Sequence, residues 1–205
     1  MQNVGPVRWY LLAVFGLLSA IECIVYFTFS STPAASITWL GSDEADEHTI
    51  DLLLSWGSIF FLVAAPPTAW LCSRPNGLRY TLIIGSFLSL LSCLIRLIPV
   101  FFSTLLMPYA IYFAHTGQII NALCGPAVMS TVSLLSSLWF PQNERVSATM
   151  IAWISNGAGF AIGFLIGPIL APSGDAFPRL LICESLLTVI PFVCILVYFP
   201  GAPKG

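Results

Sequence analysis

Residues 79–99 read RYTLIIGSFLSLLSCLIRLIP, a run in which only Arg79 and Arg96 are charged. A helix that rises 1.5 Å per residue needs about 20 apolar residues to cross the roughly 30 Å hydrocarbon core of a bilayer. Further runs of this kind lie at 9–30, 52–72, 108–138, 146–171 and 178–199. Because a chain in lipid must satisfy its own backbone hydrogen bonds, the sequence predicts an all-α bundle of six transmembrane helices.

The composition excludes an ordinary soluble protein and several function classes. Hydrophobic residues make up 58% of the chain and charged residues only 8%, whereas a soluble domain has about 25% charged residues. No basic run is present, so no nucleic-acid partner is predicted. The six cysteines form no CxxC pair and lie in or beside apolar runs. We therefore predict no metal site and no cofactor, and, since no catalytic motif is found, no enzyme activity.

The basic residues between the apolar runs or at their ends predict the orientation in the membrane. On one side lie Arg8, Arg74, Arg79, Arg145 and Lys204, and on the other side lies Arg179. Lys and Arg are enriched in cytosolic loops. Both termini are therefore predicted to be cytosolic, and the acidic loop with Asp43, Glu44, Asp46, Glu47 and Asp51 is predicted to face the outside or the lumen of an organelle.

Glu22 lies in the middle of the first apolar run. A carboxylate at the centre of a transmembrane helix costs at least about 2.5 kcal/mol on insertion scales, so it is expected to face a cavity or a partner. Two interpretations are open. Glu22 couples transport to protons or binds a cation, or it is a carboxyl group held neutral or paired for structural reasons.

Polar residues follow one face of the fourth apolar run. Gln118, Asn121 and Gly125 recur at spacings of three and four residues, which places them on one side of a helix. Such a face suits either an aqueous pathway or hydrogen bonds between helices. With Glu22 and with Asn156 in the fifth run, these side chains are candidates for the substrate pathway.

A second set of residues is predicted to serve gating or helix packing. Gly159, Gly163 and Gly167 form a doubled GxxxG pattern, which lets a neighbouring helix approach closely. Arg96 either snorkels to the interface or forms an ion pair. Glu184 makes either a packing hydrogen bond or a gating pair. Arg79 and Arg145, in the tight loops, complete this set.

Three blocks carry a family resemblance: HTGQIINALCGPAVM at 115–129, WFPQNERVSAT at 139–149 and GFAIGFLIGP at 159–168. They resemble the amino-terminal half of a major facilitator superfamily transporter, and more narrowly solute carrier family 49, the feline leukaemia virus receptor-related group. The resemblance implies that residues 1–205 form the amino-terminal six-span half of a twelve-span carrier working by alternating access. It also implies a missing carboxy-terminal half or a second subunit as partner, besides the lipid bilayer.

The resemblance further implies a small organic solute of the pyridoxine, choline-like or haem class, carried across the plasma membrane or the lysosomal membrane. Glu22 stands at the polar position of span one, which is glutamine in relatives, and Tyr26 matches an aromatic residue that closes the pocket. A glutamine used for ligand contact in choline carriers falls on Gly157. The alternative is a truncated or incomplete membrane protein without transport of its own, which acts as a scaffold or an interfering fragment.

Overall fold

The computed structural model describes residues 5–41 and 45–202, and within them every regular element is helical. Six helices are long and apolar enough to cross a membrane. They are α1 (Gly5–Tyr26), α4 (Glu47–Cys72), α5 (Gly77–Phe101), α7 (Ala110–Trp139), α8 (Arg145–Leu170) and α9 (Phe177–Val197). Shorter pieces are α2 (Thr28–Ser31), α3 (Pro33–Leu40), α6 (Ser103–Leu106) and the 3-10 turns Met107–Tyr109 and Gly174–Ala176. The predicted all-α fold with six transmembrane helices is confirmed.

The first helix ends earlier than the apolar run that predicted it. α1 stops at Tyr26, whereas the run extends to Ser30, and Phe27 separates α1 from α2. Serine and threonine hydroxyls then bind nearby carbonyl groups, including Ser31 Oγ to Thr28 O at 3.0 Å. Such local bonds compete with the helical ladder. Pro33 is the first residue of α3, where the N–H that proline lacks would have no partner within the helix.

The interior contains two large apolar clusters with a polar band between them, and a small third cluster formed by Ile21, Val25 and Cys93. One large cluster lies at the end of the bundle where α1 begins and α7 ends, and it includes Leu11, Phe15 and Leu82. The other, at the opposite end, includes Phe29 and Phe177. Between them lie buried polar residues from five helices: Ser19, Glu22, Thr28, Ser86, Ser89, Ser92, Arg96, Gln118, Asn121, Glu184, Ser185 and Thr188. This polar band at mid-depth holds the candidate site.

Two helices of the bundle are poorly covered by the rest of the described chain. Leu62 on α4 is 75% exposed and Leu165 on α8 is 68% exposed. Side chains of this kind on the other helices are also exposed, as expected for a surface solvated by lipid. The α4 and α8 surfaces are therefore available to lipid or to a further protein surface.

Basic residues hold the helix ends together at one end of the bundle. Arg8 forms a salt bridge with Glu144 at 3.0 Å. Arg145 donates to the carbonyl groups of Phe140 and Ser137, each at 3.1 Å, and so caps the end of α7. Arg79 donates to the carbonyl of Leu196 at 3.4 Å. Lys204, Asp43 and Glu44, on which part of the orientation prediction rests, lie outside the described residues.

α4 begins with a capping box, which leads to a prediction about its first turn. The Asp46 side chain accepts from the Thr49 N–H at 2.8 Å, and the Thr49 hydroxyl oxygen accepts from the Asp46 N–H at 3.4 Å. We expect Asp46→Ala to increase amide hydrogen exchange at residues 48–50, because the N-cap acceptor is lost. Asp51→Ala, an exposed aspartate further along the same helix, is the control, and equal exchange in both variants would contradict this role.

The same cap predicts a pH dependence. The N–H and hydroxyl of Thr49 hold the pKa of Asp46 below its usual range. A carboxyl group whose pKa is depressed by folding adds stability above its unfolded pKa and loses that stability as the pH falls through its folded pKa. The start of α4 is therefore expected to fray in acid, and Asp46→Ala is expected to remove this acid sensitivity.

Candidate functional site

A cavity of about 530 Å³ opens within the polar band, between α1, α4, α7 and α8. Each of these helices contributes side chains at the depth of the membrane centre. The lining is largely apolar and aromatic, with few polar groups, as is usual for small-molecule sites. It comprises Glu22, Cys23, Tyr26, Phe27, Gly57, Ser58, Phe61, Leu62, Ala122, Gly125, Met129 and Asn156.

Glu22 is the only ionisable carboxylate among the lining residues of this cavity. Its side chain is 6% exposed, and it forms no ion pair with any residue that the structure describes. A buried carboxylate is favourable only when it is paired, hydrated or protonated. The cavity thus presents one carboxylate that a proton, water or a bound cation has to satisfy.

Tyr26 forms an aromatic wall of the cavity and ties α1 to α4. Its hydroxyl donates to the carbonyl of Leu54 at 2.9 Å. The ring lies where a Cβ on Gly57 would be, so only glycine at that position lets the ring reach α4. Phe27 packs edge to face against Tyr26, with ring centroids 4.8 Å apart. The aromatic surface is therefore positioned by a glycine on the neighbouring helix.

Asn156 reaches the cavity because α8 packs closely against α1. Its amide donates to the carbonyl of Ser19 at 3.2 Å. A Cβ on Gly159 would overlap the backbone of Ala20, and one on Gly163 would lie 3.4 Å from Ile24 Cα. One turn further on, a Cβ on Gly167 would overlap Ser31. The three glycines thus form the face of α8 that packs against α1 and α2.

Arg96 is buried at the centre of the bundle, 1% exposed, and does not snorkel to the interface. Its guanidinium donates to the carbonyl of Val25 at 3.1 Å and to Gln118 Oε1 at 2.6 Å. The last carbonyl groups of a helix have no intrahelical donor. By ending at Tyr26, α1 therefore offers acceptors that the arginine on α5 uses.

Glu184 on α9 lies in the same polar network. Both of its carboxylate oxygens lie within hydrogen-bonding distance of Thr28 Oγ1, at 2.9 and 2.8 Å. Arg96 Nη1 also donates to Thr28 Oγ1, at 3.3 Å. Arg96 and Glu184 form no direct ion pair in the described part of the chain, so a threonine hydroxyl bridges the two charges. Arg179, which precedes Glu184 on the same helix, is exposed.

Gln118 and Asn121 differ in placement from the predicted pathway, because neither lines the cavity. Gln118 donates to the carbonyl of Tyr26 at 3.0 Å and accepts from Arg96, which draws its side chain away from the cavity. Asn121 is fully buried, and its amide has no partner among the described residues. With 3.6 residues per turn, Asn121 lies about 60° around the helix from Gln118, on the side that meets α5.

Several residues of the site carry no signal in the sequence. Thr28, Gly57 and Phe61 belong to ordinary apolar runs, and their positions follow from contacts between helices. The hydrogen bond from Trp56 Nε1 to His115 Nδ1, at 2.9 Å, likewise joins α4 to α7. The Ser/Thr-rich stretch before Pro33 is the one pattern that points to a helix break near Thr28.

The comparisons with known proteins agree with this architecture. The family model of the Major Facilitator Superfamily matches residues 7–205. A Xenopus laevis protein named solute carrier family 49 member 4 homolog is 30% identical over 96% of this chain. The Danio rerio solute carrier family 49 member A3 is 32% identical over 85% of the chain, and the human choline/ethanolamine transporter FLVCR2 is 27% identical over 83%.

The chain spans less than half of the length of these relatives: 45% of the Xenopus laevis protein, 36% of the Danio rerio protein and 31% of the human protein. The matches lie in the amino-terminal part of the relatives. Because the family model covers nearly the whole chain and the fold has six transmembrane helices, this protein belongs to the major facilitator superfamily, and the curated proteins that it resembles are members of solute carrier family 49.

Proposed function

We propose that this chain binds a small organic solute with a positively charged group and forms the amino-terminal half of a twelve-span carrier. The observation that supports this proposal is Glu22, a single carboxylate in a mid-membrane cavity with aromatic walls. Solutes of this superfamily cross the membrane through such a cavity, near the bilayer midplane and between two repeats.

The chemistry of the lining favours a cation over an anion. A cation bound in the cavity neutralises Glu22, whose charge is costly to leave unpaired in a buried position. Tyr26, Phe27 and Phe61 add ring faces, which attract ammonium groups by about 0.5–2 kcal/mol each. The relatives named as choline and ethanolamine transporters carry solutes of this charge. Choline-like solutes and protonated pyridoxine fit this lining better than haem, which carries two carboxylates.

The surroundings of the cavity suit a second set of helices. α4 and α8 flank the cavity, and both present largely uncovered apolar surfaces. A carboxy-terminal six-span half, or a second subunit, would complete the cavity there and rock against this half. The basic end of the bundle, with Arg8 and Arg145, would face the cytosol under the positive-inside rule. The plasma membrane and the lysosomal membrane are the two proposed locations.

Uptake of a labelled solute tests the role of Glu22. In cells that express the chain within its complete reading frame, Glu22→Gln is expected to lower the uptake of labelled choline or pyridoxine by on the order of tenfold, which corresponds to 1.4 kcal/mol of lost interaction. Glu47→Gln, at an exposed glutamate at the start of α4, is the matched control and should leave uptake unchanged.

Two outcomes would count against the proposal. If neither solute is taken up above the level of untransfected cells, the proposed substrate class is wrong. Uptake that is the same for Glu22→Gln and Glu47→Gln would remove Glu22 from the binding site. Surface or organelle expression has to be matched between the variants by immunoblotting before uptake is compared.

A further inference from the structure

We infer that Glu184 is a proton-binding site and that the Thr28 hydroxyl links the protonation state of Glu184 to the hydrogen bonds at the break between α1 and α2. The two residues meet in the polar band, outside the cavity that the proposed function uses. The inference therefore concerns the coupling ion and not the solute, and it stands or falls separately from the role of Glu22.

The first argument is the number of hydrogens available at Thr28. Its Oγ1 has one hydrogen, yet it lies 2.7 Å from the carbonyl oxygen of Val25 and 2.8–2.9 Å from both oxygens of Glu184. A hydroxyl group donates one hydrogen bond and accepts up to two. Thr28 therefore donates either to Glu184 or to Val25, and the choice depends on which of the two needs the hydrogen.

The protonation state of Glu184 determines that choice. An ionised Glu184 only accepts hydrogen bonds, so the Thr28 hydroxyl turns to it, and the Val25 carbonyl keeps only the Arg96 donor. When a proton from water binds to a Glu184 oxygen, the new O–H donates to Thr28 Oγ1. The Thr28 hydrogen then turns to Val25 O, at 2.7 Å. No covalent bond of the protein breaks, and in each state the Thr28 hydrogen has an acceptor, Glu184 in one and the Val25 carbonyl in the other.

The second argument is the balance of buried charges. Among the described residues, the buried charged side chains are Glu22, Arg96 and Glu184, which makes two acids for one base. One additional positive charge makes the interior neutral. Glu22 borders the cavity, where water or a solute can stabilise its charge, whereas Glu184 is 2% exposed and has a threonine hydroxyl as its side-chain partner. An enclosed carboxyl with so few donors is the better place for a proton.

Few charged or titratable groups surround Glu184, so few other groups influence its protonation. On α5, Arg96 and Cys93 face it. On the α1 and α2 side Thr28 contacts it, and Glu22 lies about one and a half turns before Thr28, at 3.6 residues per turn. On its own helix Arg179 is exposed. α3 contributes no charged residue, and the one charged residue of α8, Arg145, lies at the far end of that helix.

The break in α1 turns this local change into a conformational one. Val25 and Tyr26 lie at the end of α1, and their carbonyl oxygens accept from Arg96 and Gln118. Protonation of Glu184 adds a bond from Thr28 to Val25 across Phe27, and ionisation removes it. Because Glu22, Tyr26 and Phe27 all line the cavity, a change at this break reaches the proposed binding site.

Infrared difference spectroscopy of the purified full chain in lipid nanodiscs tests the proton site. The wild type is expected to show a band of a protonated carboxylic acid in mildly acidic buffer and to lose this band in mildly alkaline buffer. The band should be absent in Glu184→Gln and present in Glu22→Gln, the matched change at the other buried glutamate. A wild-type spectrum without such a band, or a band that Glu184→Gln leaves intact, would overturn the proton site.

Thr28→Val tests the relay and does not depend on the stability of the Glu184 variant. Valine keeps the shape of threonine and removes the hydroxyl, so the frequency of the Glu184 band should shift. Hydrogen exchange of amides in residues 25–31, corrected for the intrinsic effect of pH, should change with pH in the wild type and not in Thr28→Val. A pH response of this segment that persists in Thr28→Val would overturn the relay.

Discussion

Replacing Arg96 with methionine is expected to lower the free energy of unfolding by about 3–5 kcal/mol, the loss typical of removing one partner from a buried charged network. The substitution keeps the apolar length of the side chain but leaves Glu184 without a nearby cation. It also removes the donors to Gln118 Oε1 and to the Val25 carbonyl, which are 2.6 and 3.1 Å from the guanidinium. Thermal unfolding of the purified protein in detergent micelles measures the effect.

Arg79→Met provides the matched control for Arg96→Met. Arg79 is at the start of the same helix, α5, and its guanidinium makes one long bond, 3.4 Å, to the carbonyl of Leu196 near the surface. Surface arginines of this kind contribute between about 0 and 1 kcal/mol. If both variants unfold at the same temperature, the network around Arg96 does not stabilise the fold, and the mid-depth band is held together by apolar packing alone.

A pair of alanine substitutions two residues apart, on opposite sides of α8, is expected to have opposite effects. Gly159→Ala places a Cβ 2.6 Å from Ala20 Cα and against its carbonyl group, where neither backbone can yield. Overpacking of this kind costs about 1–3 kcal/mol or more. Gly157→Ala adds the same methyl group where nothing lies within 4 Å, and replacing a helical glycine by alanine gains up to about 1 kcal/mol.

The difference between these two variants is therefore expected to be about 1–3 kcal/mol, the overpacking cost at Gly159, because the gain in helix propensity is common to both. Thermal unfolding and the monodispersity of the purified variants measure it. Since both changes are Gly→Ala in one helix, the comparison cancels the general effect of alanine. Equal stability of the two variants would show that α8 does not pack against α1 through Gly159.

The fold was predictable because length and apolarity alone determine it. A run of about 20 apolar residues has one stable arrangement in lipid, and runs such as 79–99 are uninterrupted in sequence. The break after Tyr26 was not predictable in the same way, since the apolar run continues through Phe27 and Phe29. Pro126, which suggests a bend, lies within the unbroken helix Ala110–Trp139. At the break after Tyr26, by contrast, the hydroxyl groups of Thr28 and Ser31 bind backbone carbonyl groups.

The candidate site was partly predictable. Glu22 stands out because a carboxylate is rare in mid-membrane, and it lines the cavity with Tyr26 and Asn156. Helical spacing predicts on which side of its helix a residue lies. It does not predict how deep in the bilayer the residue lies or which residue it contacts. Gln118 points towards the cavity side yet is captured by Arg96 and the Tyr26 carbonyl. The sequence left Arg96 either at the interface or in an ion pair, whereas α5 continues past it to Phe101 and the bundle encloses it.

The polar band between two apolar clusters has a mechanical consequence. Apolar packing has to be separated before one half of a bundle can tilt against the other, whereas a hydrogen bond can be exchanged for another with little net loss. We therefore expect the clusters around Phe15 and around Phe177 to move as two stiff blocks. The compliant joint is expected in the polar band between them, where Phe27 separates α1 from α2. A molecule wedged against this joint would set the angle between the blocks.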